Sequence, residues 1–248
     1  MVVLFTTTIF YKELGGRDLK ENPTHSALIV IDMENGFIEP QSAHCIHGAQ
    51  ETIPNCVKAI STARSIGIPI FFVKRIYRAD GSDVELSRYE KWKEGGRAMT
   101  PGSQGLNSAQ APEGLKPEVG DYTIIKPRWS AFFHTELDLI LRRLDIKTVI
   151  LIGTTTPNCI RTTAFDADSL EYNVVILEDC CSSQTEEIQR ANIDDLRRMG
   201  AVIMGCTEFE KYDAGNAPNL QKQVHAEMMQ DNHAPEPFKE NHSWTDLW

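Results

Sequence analysis

Three residues far apart in the chain, Asp32, Lys126 and Cys159, carry a carboxylate, an ammonium and a thiol, a set suited to nucleophilic chemistry at a carbonyl. The cysteine stands in the most informative local segment, Gly153-Thr154-Thr155-Thr156-Pro157-Asn158-Cys159. Proline is favoured at the first position of a helix, where its missing N–H costs nothing. Thr156 before it is a candidate N-cap. Cys159 then falls in the first helical turn, where free N–H groups and the helix dipole favour a thiolate. The same N–H groups can receive the oxyanion of a tetrahedral intermediate. Taken singly, each residue has a plainer reading. A cysteine at a helix start packs as a small hydrophobe, a strand-end aspartate caps the next helix, and a lysine is solvated. The set carries the case.

The elements around these residues put them on one edge. Ala27–Ile31 is a short continuous apolar run, as in a buried parallel strand, and Asp32 ends it. A helix is expected over about Gln50–Ser65, stopped at Gly67, and Ile68–Val73 reads as the second strand. Lys126 ends the strand Tyr122–Ile125, and the cysteine turn follows the strand Val149–Gly153. Helices are expected over Thr135–Leu144, Pro157–Glu171 and Thr185–Met199, the last capped by Thr185 and closed by Gly200. Val174–Leu177 and Ala201–Met204 complete the strands. Such alternation implies an α/β fold, a parallel sheet with helices on both faces. Ligands in such sheets bind beyond the carboxyl ends of the strands, where these three residues stand. The segment from Arg75 to Gly120 breaks the pattern and is expected to help cover the site. The organisation expected is an arm over 1–24, one domain over 25–211 and a tail over 212–248. The tail holds a short helix near Leu220–Met229, with Trp244 and Trp248 as candidate anchors.

The chain has 248 residues and a formal net charge of −10, with no basic cluster, which argues against nucleic acid as a partner. No apolar run approaches the ~20 residues of a membrane helix. Its six cysteines lie in a long chain without a secretory signal, so reduced thiols and a cytoplasmic location are expected.

Three motifs in order resemble the isochorismatase-like cysteine hydrolases: Ile31-Asp32-Met33-Glu34-Asn35-Gly36-Phe37, Lys126-Pro127-Arg128-Trp129-Ser130-Ala131-Phe132-Phe133, and Gly153 to Cys159 followed by Ile160-Arg161-Thr162-Thr163-Ala164. The likeness covers about residues 25 to 209. It implies a Rossmann-like three-layer fold with a six-stranded parallel sheet flanked by helices. It further implies Asp32 as general base, Lys126 as electrostatic partner and Cys159 as nucleophile. A cis peptide is implied at Thr154–Thr155, with the N–H groups of Thr155 and Cys159 as oxyanion hole. Through this likeness the substrate is a small molecule, no cofactor is called for, and the chain is expected to form a homo-oligomer, dimer or tetramer.

The presence of Cys159 argues against the vinyl-ether-cleaving branch of that family. The nicotinamidase branch, whose metal-binding segment follows the second strand, is disfavoured too: the corresponding Val73–Asp80 holds no histidine. His44 and His47 are spaced for metal but read as polar loop residues, and no metal is expected. The lysine motif is most similar to the ureidoacrylate and carbamoyl-type amidohydrolases. Arg75, Tyr77 and Arg128 are then candidates to orient a substrate, each equally readable as a structural partner. Phe37, Trp129 and Phe133 are candidate pocket walls or plain core. Thr163 and Asp166 read as packing and surface residues. The alternatives are a metal-assisted nicotinamidase relative and a non-catalytic scaffold whose reactive thiols are Cys180 and Cys181.

Overall fold

The continuous apolar runs become strands buried on both faces. A computed structural model describes residues 22–103 and 107–230; the expected N-terminal arm, save its last three residues, and the two tail tryptophans lie outside them. In chain order the elements are β1 (Ser26–Ile31), a single turn α1 (Asn35–Ile38), α2 (Ala49–Ser65), β2 (Ile70–Lys74), α3 (Tyr89–Glu94), β3 (Tyr122–Ile125) and α4 (Leu137–Arg143). Then come β4 (Thr148–Thr154), α5 (Arg161–Ser169), β5 (Asn173–Ser182), α6 (Glu186–Met199), β6 (Val202–Met204), a single turn α7 (Cys206–Phe209) and α8 (Leu220–Gln230). The six strands form one parallel sheet in the order β3-β2-β1-β4-β5-β6. The sheet is Rossmann-like, and β1 and β4 lie side by side where the strand order reverses.

Alternation along β1 sorts its side chains into two cores. Leu28 and Val30 pack with Ala59 and Ile60 of α2 and Phe209 of α7. Ala27, Ile29 and Ile31 pack with Leu137 and Leu141 of α4, Ala164 of α5 and Leu196 of α6. Helices thus cover both faces, which leaves the strand ends as the place for polar chemistry. Thr185 caps α6 by accepting the Ile188 N–H at 3.2 Å, and Gly200 ends it at φ 114°.

Several boundaries differ from the sequence reading. β5 runs on to Ser182, with a register shift against β4 between Leu151 and Gly153, and so takes in Cys180 and Cys181. The expected helix from Pro157 begins instead as one wide π turn over Thr156–Ile160, and α5 proper starts at Arg161. Thr156 is not its cap. Its hydroxyl bonds the Ser182 carbonyl and the Gln189 side chain, tying the turn to β5 and α6. The irregular 75–120 stretch is packed, with Trp92 of α3 buried and its indole N–H on the Ala98 carbonyl at 3.0 Å. Tyr212 is buried against Phe209 and bonds Ser26, and the described chain divides into two units after Pro218. The second unit consists, where described, of α8, with no buried residue. No helix among the described residues is long and apolar enough to cross a membrane.

Candidate active site

Asp32 and Lys126 each extend the hydrogen-bond ladder one residue past their strands. The Asp32 N–H bonds the Val73 carbonyl and the Lys126 N–H bonds the Lys74 carbonyl, both at 2.9 Å. That pairing holds the two backbones rigid at the sheet edge. Asp32 takes φ 51°, a left-handed conformation that a short polar side chain tolerates and that turns the chain out of β1. Opposite it, Gly153 at φ 115° lets β4 pass close to β1. A Cβ there would sit 2.1 Å from the Ile31 carbonyl oxygen, so only glycine fits. The peptide between Thr154 and Thr155 is cis.

This framework brings the three side chains together. Lys126 Nζ lies 2.7 Å from Asp32 Oδ2 and 3.5 Å from Cys159 Sγ, and it also donates to the Arg128 carbonyl at 3.2 Å. All three are buried. Asp32 Oδ1 has no hydrogen-bond partner among the described residues, so one carboxylate oxygen remains available as a proton acceptor. Thr163 joins the two motif loops: its hydroxyl donates to the Cys159 carbonyl at 2.6 Å and accepts the Ala131 N–H at 3.0 Å. Its sequence reading as a packing residue is thereby given a definite purpose.

The electrostatics correct one expectation. Burial, and next the Asp32 carboxylate, push the Cys159 thiol up to about 11, against the pull of Lys126 and Arg75. The resting sulfur is therefore a thiol and not the thiolate that its place at a helix start suggests: desolvation of the charged form outweighs the cations. Burial and Asp32 likewise push Glu34 up to about 8; its Oε1 accepts the Arg75 backbone N–H at 2.7 Å. Glu34 then carries a proton at neutral pH. Against the cost of burial, the Arg75 charge and the Tyr77 hydroxyl hold Glu85 below the usual carboxylate value. Asp32 pairs with Lys126 and Glu85 with Arg75, both contacts buried.

A cavity of about 210 Å³ opens above Cys159. Asp32, Phe37, Thr155 and Cys159 line it, so both residues of the expected oxyanion hole border the cavity. Other expected substrate contacts are used elsewhere. Arg75 is wholly buried, pairs with Glu85 at 2.9 Å and lies over the Tyr77 ring, while Tyr77 donates its hydroxyl to Glu85. Arg128 donates to the carbonyls of Asp83 and Pro127. Trp129 stacks on Arg88, and Phe133 meets His134 edge-on; neither borders the cavity. In their place the cavity holds His44, Arg88, Lys91 and Gln184. His44 was legible in the sequence only as a metal candidate or a loop residue, and Arg88, Lys91 and Gln184 lie in stretches with no periodicity to point them anywhere. Cys180 and Cys181 are buried, with thiols pushed far up by a hydrogen bond with Cys56 and by burial respectively, which removes the support for reactive thiols there. Among the described residues no three His, Cys, Asp or Glu side chains are grouped to hold a metal ion.

Comparison with known proteins agrees with this architecture. The Isochorismatase domain model matches residues 26–208. A protein of Arabidopsis thaliana described as a probable inactive nicotinamidase is 37% identical over 184 residues, 73% of this chain and 93% of its own. The ureidoacrylate amidohydrolase of Agrobacterium fabrum is 26% identical over 204 residues, 75% of this chain and 89% of its own. The crystal structure of an isochorismatase family protein from Desulfovibrio vulgaris superposes with a TM-score of 0.71 at 40% identity, covering 75% of this chain and 97% of that one. The sheet order, the motifs and these likenesses together place the chain in the isochorismatase-like cysteine hydrolase family.

Proposed function

We propose that the protein is an amidohydrolase that cleaves a linear C–N bond of a small amide, ureido or carbamoyl compound through a thioester on Cys159. The observation that carries this reading is the single ammonium, Lys126 Nζ, within 2.7 Å of a buried carboxylate and 3.5 Å of a buried sulfur. A site kept only for structure gains little from three buried ionisable groups, since hydrophobic replacements of similar volume cost less. The likeness to a ureidoacrylate amidohydrolase supports the substrate class.

The chemistry runs in two halves. Asp32 takes the proton of the Cys159 thiol as sulfur attacks the carbonyl carbon, and the N–H groups of Thr155 and Cys159 receive the oxyanion. Protonated Asp32 passes its proton to the leaving nitrogen, and ammonia or an amine departs, leaving the acyl group on sulfur. Asp32 then removes a proton from water; the hydroxide attacks the thioester, and Cys159 leaves and regains its proton. Lys126 keeps its charge throughout, holding Asp32 in place and offsetting the negative charge that passes between carboxylate and sulfur. A thiol with a pKa near 11 needs this coupled base, because little thiolate stands ready.

Ammonia release measured across ureido acids, carbamoyl amines and simple amides tests the reading. Activity is expected within this panel, abolished in Cys159→Ala. Turnover retained by that variant would refute the mechanism, and inertness towards the panel would favour the kind of inactive relative found in Arabidopsis thaliana.

A further inference from the structure

The cavity above Cys159 is lopsided in charge. Its floor holds Asp32, whose charge is answered by Lys126 at 2.7 Å. On its wall stand Arg88, at the end of a short 3-10 turn over Leu86–Arg88, and Lys91, one turn later in α3. Neither makes an ion pair among the described residues. Arg88 rests on the Trp129 ring with its guanidinium carbon 6.0 Å from the centroid, which fixes the side chain without neutralising it. Glu90 lies between Arg88 and Lys91 in sequence but pairs with neither among the described residues, and Glu85 is already engaged by Arg75 and Tyr77. Beside the two cations lies His44, 8% exposed, its Nε2 buried without a hydrogen-bond partner among the described residues. Burial and the charges of Arg88 and Lys91 draw His44 down to about 4, so it stays neutral.

A buried, unpartnered imidazole nitrogen and two cations without an ion-pair partner thus border one small cavity. Polar groups so buried are otherwise nearly always paired. The chain as a whole carries −10 and repels anions at long range, so only local cations can hold one.

We propose that Arg88, Lys91 and His44 make the active site selective for substrates bearing a carboxylate at the end remote from the scissile carbonyl, ureido acids in preference to neutral ureas and amides. Arg88 and Lys91 bind the carboxylate, and His44 Nε2 supplies a hydrogen bond beside it. This rests on the hydrolytic reading above and sharpens it to a substrate class. Arg75 and Arg128 take no part in it, since neither lines the cavity: Arg75 pairs with Glu85 and Arg128 donates to backbone carbonyls.

The test compares 3-ureidopropanoate with N-propylurea, a pair alike in length but differing in the carboxylate. In the wild-type chain kcat/KM is expected at least ten-fold higher for the acid. Arg88→Gln and Lys91→Gln are each expected to reduce that preference about ten-fold, chiefly through KM. Preference for N-propylurea, or equal losses for both compounds, would overturn the proposal while leaving the hydrolytic reading intact. If neither compound releases ammonia, calorimetry of 3-ureidopropanoate on the full-length Cys159→Ala chain decides. Binding weakened ten-fold by Arg88→Gln supports the rim even though the hydrolytic reading has failed; absent or unaltered binding overturns it.

Discussion

The floor and the rim of the cavity are built in opposite ways. Asp32 and Cys159 of the floor, and Lys126 in contact with both, stand at strand ends or in a turn bound to the sheet, all buried, with their backbones held by main-chain hydrogen bonds or by Thr163. The rim residues Arg88 and Lys91 come from short helical pieces within the long excursion between β2 and β3, and both are partly or fully exposed. On the proposed function, the difference suits them to different tasks. Reacting groups must be fixed to a fraction of an ångström, which a sheet edge achieves. Groups that choose among substrates need only reach the ligand, and loops supply them with freedom to vary.

That contrast can be broken first at the floor. Cys159→Ala is expected to lower ammonia release by at least ~10⁴-fold, since nothing nearby replaces the nucleophile, while the melting temperature changes little. An activity loss comparable to that of the rim variants would show that sulfur does not react.

Next in size is Gly153→Ala. The new Cβ would lie 2.1 Å from the Ile31 carbonyl at a φ that disfavours it, so β1 and β4 must part directly beneath Asp32. A stability loss of about 4 kcal/mol is expected in chemical denaturation, with activity lost alongside. A variant of normal stability would mean that the floor is less tightly braced than described.

Glu34→Gln probes the buried acid next to Asp32. An acid that holds its proton longer folded than unfolded makes the fold less stable as pH rises between the two pKa values. Glu34 therefore opposes folding increasingly from about 4.5 to about 8. The amide lacks this penalty and keeps an oxygen for the Arg75 N–H. The variant should gain on the wild type by up to about 1.4 kcal/mol per pH unit across that window. Melting curves at pH 5 and pH 8 that differ equally for both proteins would reject the raised pKa.

The mildest change is Thr163→Val, which keeps the side-chain shape and removes one hydroxyl shared by the Cys159 carbonyl and the Ala131 N–H. A loss of about 2 kcal/mol is expected, with kcat reduced more than KM as the sulfur drifts from Lys126. An unchanged kcat would make Thr163 a packing residue after all.

The strands, their parallel order in an α/β sheet and the meeting of Asp32, Lys126 and Cys159 were legible in the residues themselves. An apolar run such as Ala27–Ile31 can be satisfied only by burial on both faces, and strand ends in such sheets converge on one edge. Local signals of that kind survive without knowledge of the rest of the chain, as the Thr185 cap and the Gly200 stop also demonstrate. What surrounds the sulfur was decided only by tertiary structure. Whether Arg75 faces a ligand or Glu85, whether Cys159 rests as a thiol, and whether Arg88 and Lys91 turn towards the cavity all depend on contacts between distant segments. Charge, desolvation and side-chain direction are properties of the packed neighbourhood, and irregular stretches like 75–120 carry no periodicity from which that neighbourhood can be read.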